Sequence, residues 1–275
     1  MTWHLTGDVE RFLAATGAFL RARPVENTLP LTIAEHVRLH GPRAYGPRDA
    51  VFGWHDGEEA AAVWTPPRPP VLSAMSTQAA AALAEALSGD LSGVSGPVAV
   101  VEAFAAAWER RTGATAKVHS RMRLFRLGTL VPPTPPASGS ARVGGAGDRQ
   151  LLIGWTAAFF REVGEDDPEI EAFVDDRLSY GGMMLWEDGG TPVSMAALTR
   201  PEAGMVRVQA VYTPREHRAR GYAGAVTTAI SRAALKAGAT EVALFTDLDN
   251  PTSNALYQRL GYEPLEDRTV VEFPS

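Results

Sequence analysis

Cysteine is absent from the chain, which excludes disulfides, thiolate zinc sites and a cysteine nucleophile together. No apolar run approaches the roughly 20 residues that a bilayer-spanning helix needs. The opening residues, MTWHLTGDVE, lack the basic and apolar regions of a secretory signal. A cytoplasmic protein without a membrane partner is the expectation. Positive charge is also scarce, with 26 Lys and Arg against 32 Asp and Glu, a net charge of −6. Proteins that wrap nucleic acid instead carry a basic face able to displace counterions from phosphates. What is present is a globular composition, 275 residues of which 45% are hydrophobic, enough for one large or two modest domains.

The clearest break is VPPTPPASGSARVGGAG at 131–147, where proline gives way to serine and glycine and neither helix nor sheet is favoured. It divides the chain into a first domain at 1–130, a Pro/Ser/Gly linker at 131–141 and a second domain at 142–275. The two sides resemble each other. GDVERFLAATGAFLR at 7–21 aligns with GDRQLLIGWTAAFFR at 147–161, and FGWHDG at 52–57 with MLWEDG at 184–189. A duplication is the natural reading.

In the second half, Leu152, Trp155 and Phe159, then Ile170, Phe173 and Leu178, lie at helical spacing, predicting helices over 148–163 and 167–179. Residues 183–198 read as a hairpin around Asp188, Gly189 and Gly190. A strand over 205–212 alternates Val206, Val208, Ala210 and Tyr212 against Arg207 and Gln209, and Pro214 stops it. Ala223, Val226, Ile230, Ala233 and Ala237 mark one face of a helix ending near Gly238. EVALFT, at 241–246, is a buried strand, and a crossover of this length predicts that it runs parallel to 205–212. Asn250 suits an N-cap, with Pro251 at the first helical position and Gly261 just past the helix end.

One segment departs from the acidic average. TPREHRARGYAGAV, at 213–226, holds three arginines, one histidine and two glycines between a strand and the start of a helix. First-turn N–H groups lack intrahelical partners and the helix dipole is positive there, so this is a natural anion site. Gly221 and Ala223 let backbone approach phosphate oxygens, and Arg218 and Arg220 can add charge-assisted hydrogen bonds. Neither the P-loop nor the three-glycine dinucleotide pattern fits.

The arrangement of Arg218, Gly221 and Ala223 after a strand ending VYTP, followed by NPTSNALYQRLGY at 250–262, resembles the GNAT superfamily of acetyltransferases. The likeness spans roughly residues 142–273, and the whole chain is similar to bacterial two-domain members whose first half is a degraded copy. It implies an α/β fold of two tandem GNAT-like domains, each a mixed, mostly antiparallel sheet flanked by helices. It implies acetyl-CoA as co-substrate, no metal, and direct attack of a primary amine on the thioester. The acceptor is a small molecule or an exposed amino group. The pyrophosphate falls on Arg218, Ala219, Arg220, Gly221, Tyr222 and Ala223. The pantetheine arm falls on Val211, Tyr212 and Thr213, where the strands at 205–212 and 241–246 splay apart, and Asn250 and Tyr257 come near the thiol.

Attack requires a neutral amine, although a free alkylamine has a pKa of about 10.4, and the departing thiolate needs a proton. Tyr257 takes the donor's place. Gln209 stands on the strand where some relatives carry a basic glutamate and cannot serve, leaving Asp247, Glu216, His217 or a water chain. Without the resemblance, Tyr257 is a packing aromatic, Asp247 a loop or cap residue, and Arg215 and Arg220 surface charges. His36 and His40 can share a helix face but lack a nearby third zinc ligand. GVSGP at 93–97 lacks the second glycine of a nucleophile elbow. The first half has TPPRPPVLSAMS at 65–76 where the arginine–glycine loop would stand, predicting a domain that keeps the fold without binding acetyl-CoA. Two other functions remain open: a non-catalytic acyl-CoA sensor, and an interaction protein that docks through its first half.

Overall fold

The structure, a computed structural model, describes residues 2–164 and 169–274. Ten elements come first: β1 (Trp3–Thr6), α1 (Val9–Ala22), α2 (Thr28–His40), β2 (Val51–His55), β3 (Ala61–Trp64), β4 (Val71–Leu72), α3 (Thr77–Ala86), β5 (Gly93–Pro97), α4 (Val98–Thr112) and β6 (Lys117–Leu127). The next ten repeat their order: β7 (Ser140–Val143), α5 (Arg149–Val163), α6 (Ile170–Ser179), β8 (Met183–Asp188), β9 (Thr191–Leu198), β10 (Met205–Tyr212), α7 (Tyr222–Lys236), β11 (Glu241–Asp247), α8 (Pro251–Arg259) and β12 (Tyr262–Glu272). The helix expected at 167–179 is described from Ile170, residues 167 and 168 lying outside the described residues. Among the described residues, no helix is long and apolar enough to cross a membrane.

Compactness groups Met1–Leu124 with Thr246–Asp249 and Leu265–Ser275 as one unit, and Phe125–Phe245 with Asn250–Pro264 as the other. The first unit's sheet runs β1-β2-β3-β4-β5 and is completed by β12, whose residues from Arg268 to Glu272 pair antiparallel with Pro97 to Gly93. In the second unit the order is β7-β8-β9-β10-β11, with β6 beside β11. There Arg126 makes a two-pronged ion pair with Glu241. Each unit thus takes in a strand segment from the other half of the chain, Leu265–Glu272 of β12 in the first and Phe125–Leu127 of β6 in the second. Arg268, nearly fully buried, fastens β12 in the first unit by donating to the carbonyls of Leu72 (2.8 Å) and Glu26 (3.2 Å). Burial pushes its guanidinium pKa down, opposed by Glu266.

Each sheet packs helices on both faces. In the second unit, Leu152, Val174, Met183 and Met195 form a core with α5 and α6, while Val206, Val208, Val226, Ile230 and Leu260 form another with α7 and α8. On α7 the buried face differs from the alanine pattern. Ala233 and Ala237 are exposed, and Ala234 completes the stripe with Val226 and Ile230. Thr227 and Ser231 join it because their hydroxyls bond back to the carbonyls of Ala223 and Thr227, which removes the cost of burying them. Alanine has too little side chain to mark a face by itself.

The proline-rich segment groups with the second unit. Val131 N–H donates to Leu260 O (2.9 Å) at one end, and Trp186 Nε1 donates to Ser138 O (2.7 Å) at the other. Between them, Pro133 and Ala137 lie beside Gly224 and Gly221, at the start of α7.

Candidate active site

The site begins with an irregularity in β10. Met205 to Val208 pair parallel with Glu241 to Leu244, and no later β10 residue has a β11 partner. Against β9, Gln209 faces Ala197 but Tyr212 faces Met195, so β10 carries one extra residue. Ala210 absorbs it with φ +46°, a left-handed conformation that a non-glycine residue adopts at a cost of about 1–2 kcal/mol. The bulge breaks the expected alternation. Val206 and Val208 face α7 and α8, whereas Ala210 and Tyr212 pack into the α5/α6 core, with the Trp155 ring tilted against Tyr212 at 6.3 Å. Arg207, expected to face away from the core, is buried, its guanidinium over the Phe245 ring at 5.8 Å.

Beyond Tyr212 the chain turns toward α7. Ser194 Oγ donates to Tyr212 O (2.9 Å) and shares a hydrogen bond with Thr213 Oγ1, and Arg218 Nε donates to Thr213 O (2.9 Å). Of the three residues expected to meet the pantetheine arm, Tyr212 and Thr213 therefore already have partners on their carbonyls. A short 3-10 turn, Arg215–His217, precedes Arg218. Ala219 is left-handed at φ +61°, and Gly221, at φ +83°, is the N-cap of α7 with no side-chain acceptor for its first turn. A Cβ on Gly221 would meet only Ala137 Cβ, at 3.6 Å. Glycine is required there by backbone direction rather than by crowding.

Among the loop arginines, Arg218 grips both carboxylate oxygens of Glu162 on α5 (2.6 and 2.8 Å), with Arg215 3.6 Å away. Arg220 is exposed near Asp188. The Asp188 carboxyl is held below the usual range chiefly by the Tyr222 hydroxyl, then by Ser138 (2.8 Å) and the Arg220 charge. Tyr222 is buried and Ala223 half-buried.

At the start of α8, Asn250 caps the helix, its Oδ1 accepting from Ser253 N–H (3.0 Å). The Tyr257 ring lies in the core against Phe125 (6.5 Å) and Tyr262 (6.0 Å). Its hydroxyl has no hydrogen-bond partner among the described residues, and burial raises its pKa to about 12. Asp247 groups with the first unit and accepts from Asp249 N–H (2.8 Å), organising the turn after β11. Glu216 is exposed, and His217 Nδ1 is buried without a partner among the described residues. His36 and His40 share a face of α2, ring centroids 4.3 Å apart, and no group of three metal-ligating side chains occurs among the described residues. Sequence reasoning missed Glu162, Arg177 and Ser194, which belong to no motif, and read Asp188 only as a turn residue; all four meet the loop or strand only through the fold.

The first unit gives the same corner a different form. Its β4 has two residues, and Ser76 caps α3 by accepting from Ala79 N–H (3.1 Å). The Glu58 carboxylate takes both Ser76 N–H (3.1 Å) and Ser76 Oγ (2.6 Å).

Residues 150–262 match the model of the acetyltransferase (GNAT) family. No curated protein matches the chain. Solved structures share its fold from end to end. A Drosophila protein is 14% identical, with 99% of this chain and 98% of that one covered and a TM-score of 0.69. A GCN5-related N-acetyltransferase from Sphaerobacter thermophilus is 16% identical over 99% and 96% at a TM-score of 0.64. A GNAT-family acetyltransferase from Colwellia psychrerythraea is 11% identical over 99% of each chain at 0.63. With the bulged strand, the glycine-capped helix and the asparagine-capped α8 in one unit, residues 150–262 are a domain of the GNAT acetyltransferase family, in a chain that has the fold of two tandem GNAT-like domains.

Proposed function

We propose that the second unit is an N-acetyltransferase that transfers the acetyl group of acetyl-CoA to a primary amine by direct attack in a ternary complex. One observation carries the reading: α7 begins at a left-handed glycine with no side-chain cap, immediately after a strand that has left its parallel partner. The first-turn N–H groups and the helix dipole are thus available to a pyrophosphate, and the edge of β10 that has lost β11 to an extended pantetheine arm. Arg218, engaged with Glu162, braces the loop, and Arg220 is the arginine positioned to meet phosphate.

Acetyl-CoA supplies the acyl thioester. The amine nitrogen bonds to the carbonyl carbon, the carbon–sulfur bond breaks, one proton leaves the nitrogen and one reaches the thiolate. Tyr257 is assigned the second transfer. Its pKa of about 12 keeps the hydroxyl protonated at neutral pH. A CoA thiol titrates near the ~8.5 of cysteine, so full transfer from Tyr257 is uphill, and its main contribution is a hydrogen bond to sulfur as charge develops. For the first proton, His217, Glu216, Asp247 and a water chain all remain candidates. The first unit is assigned no acetyl-CoA, because Glu58 and Ser76 already fill the start of α3.

Calorimetric titration with acetyl-CoA, followed by thiol release in the presence of an amine panel, tests the reading. Binding with amine-dependent release supports it. Binding without release under any amine makes the chain an acyl-CoA sensor, a reading favoured by Gln209 standing in place of a basic carboxylate.

A further inference from the structure

Gln209 stands at the first β10 position past the last pair with β11, Val208 with Leu244, and directly before the bulge at Ala210. Its side chain is half-buried on the α5/α6 side of the sheet, where Arg177 Nη2 donates to Gln209 Oε1 at 2.9 Å. Arginine has donors only, so the amide oxygen must face the guanidinium, and chemistry settles which way the amide points. Arg177 is itself held in place. Nη1 donates to Phe173 O (3.1 Å) and lies 3.7 Å from Asp176, and the guanidinium carbon is 3.4 Å from the Phe173 ring centroid.

The consequence lies at the other end of the amide. Gln209 Nε2 has no partner among the described residues and is not sealed from solvent. At the apex of the opening between β10 and β11 the protein therefore presents N–H donors, with a guanidinium one hydrogen bond behind them. A protonated amine or polyamine consists of donors and gains no hydrogen bond from this amide and guanidinium. An oxygen acceptor does, and a negatively charged one gains most.

Resting on the acetyltransferase reading, we propose that the acceptor is an amine bearing a carboxylate close to its nitrogen, of the α-amino acid class. Gln209 Nε2 donates to that carboxylate, and Arg177 acts as the positioning residue that keeps the amide from turning.

The test compares an α-amino acid with its decarboxylated amine at equal concentrations of neutral amine, after acetyl-CoA binding has been measured by calorimetry. In the wild-type protein, kcat/KM should favour the amino acid by about tenfold or more. Gln209→Met keeps length and removes the donor, so the preference should fall to within about threefold, chiefly through KM. Arg177→Met lets the amide turn and present its oxygen, which should shift the preference further toward the plain amine. Equal use of both amines by the wild type overturns the proposal, as does turnover of neither. A uniform loss in kcat for both amines in Gln209→Met also overturns it, since the donor would then serve the acyl oxygen. Failure to bind acetyl-CoA at all overturns the acetyltransferase reading itself, whereas binding with equal amine use overturns only the acceptor class.

Discussion

Helices α3 and α7 hold the same place in the order of their units, yet one start is closed and the other open. Ser76 and the Glu58 carboxylate occupy the N-terminus of α3, and a two-residue strand leads to it. Gly221 leaves α7 without a side-chain cap after an eight-residue, bulged strand. Turn carboxylates stand near both helix starts: Glu58 reaches the residue that caps α3, while Asp188 is drawn aside by the Tyr222 and Ser138 hydroxyls. A helix N-terminus is an anion site only while the protein's own acceptors stay out of it. A shared topology therefore decides where such a site can be, and the local strand, loop and capping side chains together decide whether it exists.

The sharpest way to break the contrast is to close α7. Gly221→Val places a β-branched residue at a left-handed position and sets its methyls beside the first-turn N–H groups. Acetyl-CoA affinity should fall by at least about a hundredfold, from backbone strain of about 1–2 kcal/mol together with lost charge-assisted hydrogen bonds. Calorimetry beside a melting curve checks it, and unchanged affinity in a normally melting variant would falsify the placement of the pyrophosphate.

Next in size is Tyr257→Phe, which keeps the ring packed. Losing a hydrogen bond to developing thiolate charge should slow the chemical step by about tenfold to a hundredfold in single-turnover measurement, with cofactor affinity little changed. A loss under threefold would leave Tyr257 a packing residue. Because burial raises its pKa to about 12, the wild-type rate should show no alkaline loss from this group up to about pH 11. The same shift has a stability consequence. The neutral phenol is the form favoured on folding, so its contribution is whole below about pH 10 and is lost as pH rises through about 12.

On the first unit, Ser76→Ala with Glu58→Ala removes the native cap. Stability should drop by about 1 kcal/mol, while calorimetry of the full chain still finds one acetyl-CoA, because β4 is short and no glycine-capped loop follows it. A second binding event would show that those two side chains alone silence that half. The full chain is the right sample, since cutting near residue 131 would deprive each unit of the strand segment it takes from the other half of the chain. The smallest effect is expected from Ala219→Gly. Relief of a left-handed alanine, offset by the greater freedom of glycine when unfolded, should raise stability by about 0.5 kcal/mol. A lower melting temperature would show that the Ala219 methyl packs usefully.

Much of the local structure was legible because its signals are local. Pro214 ends β10, Asn250 and Pro251 start α8, and Gly261 follows its end, each through backbone constraints that a neighbour or two can impose. The parallel pairing of β10 and β11 followed from the crossover between them. The bulge at Ala210 carried no such mark, since alanine is not a residue that sequence reasoning places at positive φ. The buried face of α7 was misread for a related reason: threonine and serine look polar until their hydroxyls are seen bonded to their own helix.

By itself the sequence determined that this is a cysteine-free, acidic, globular chain with two halves of matching element order, the second carrying a strand, an arginine–glycine loop, a helix and an asparagine-capped helix in succession. Those features rest on periodicity, turn chemistry and capping, which act over a few residues. Only the tertiary structure decided that each half completes the other's sheet, that Glu58 closes α3, that Glu162 engages Arg218 and that Arg177 turns the amide of Gln209. These contacts join residues from 18 to 56 positions apart, and the sheet exchange joins residues farther still. At such separations the folded chain alone determines who meets whom, since no local preference links the partners.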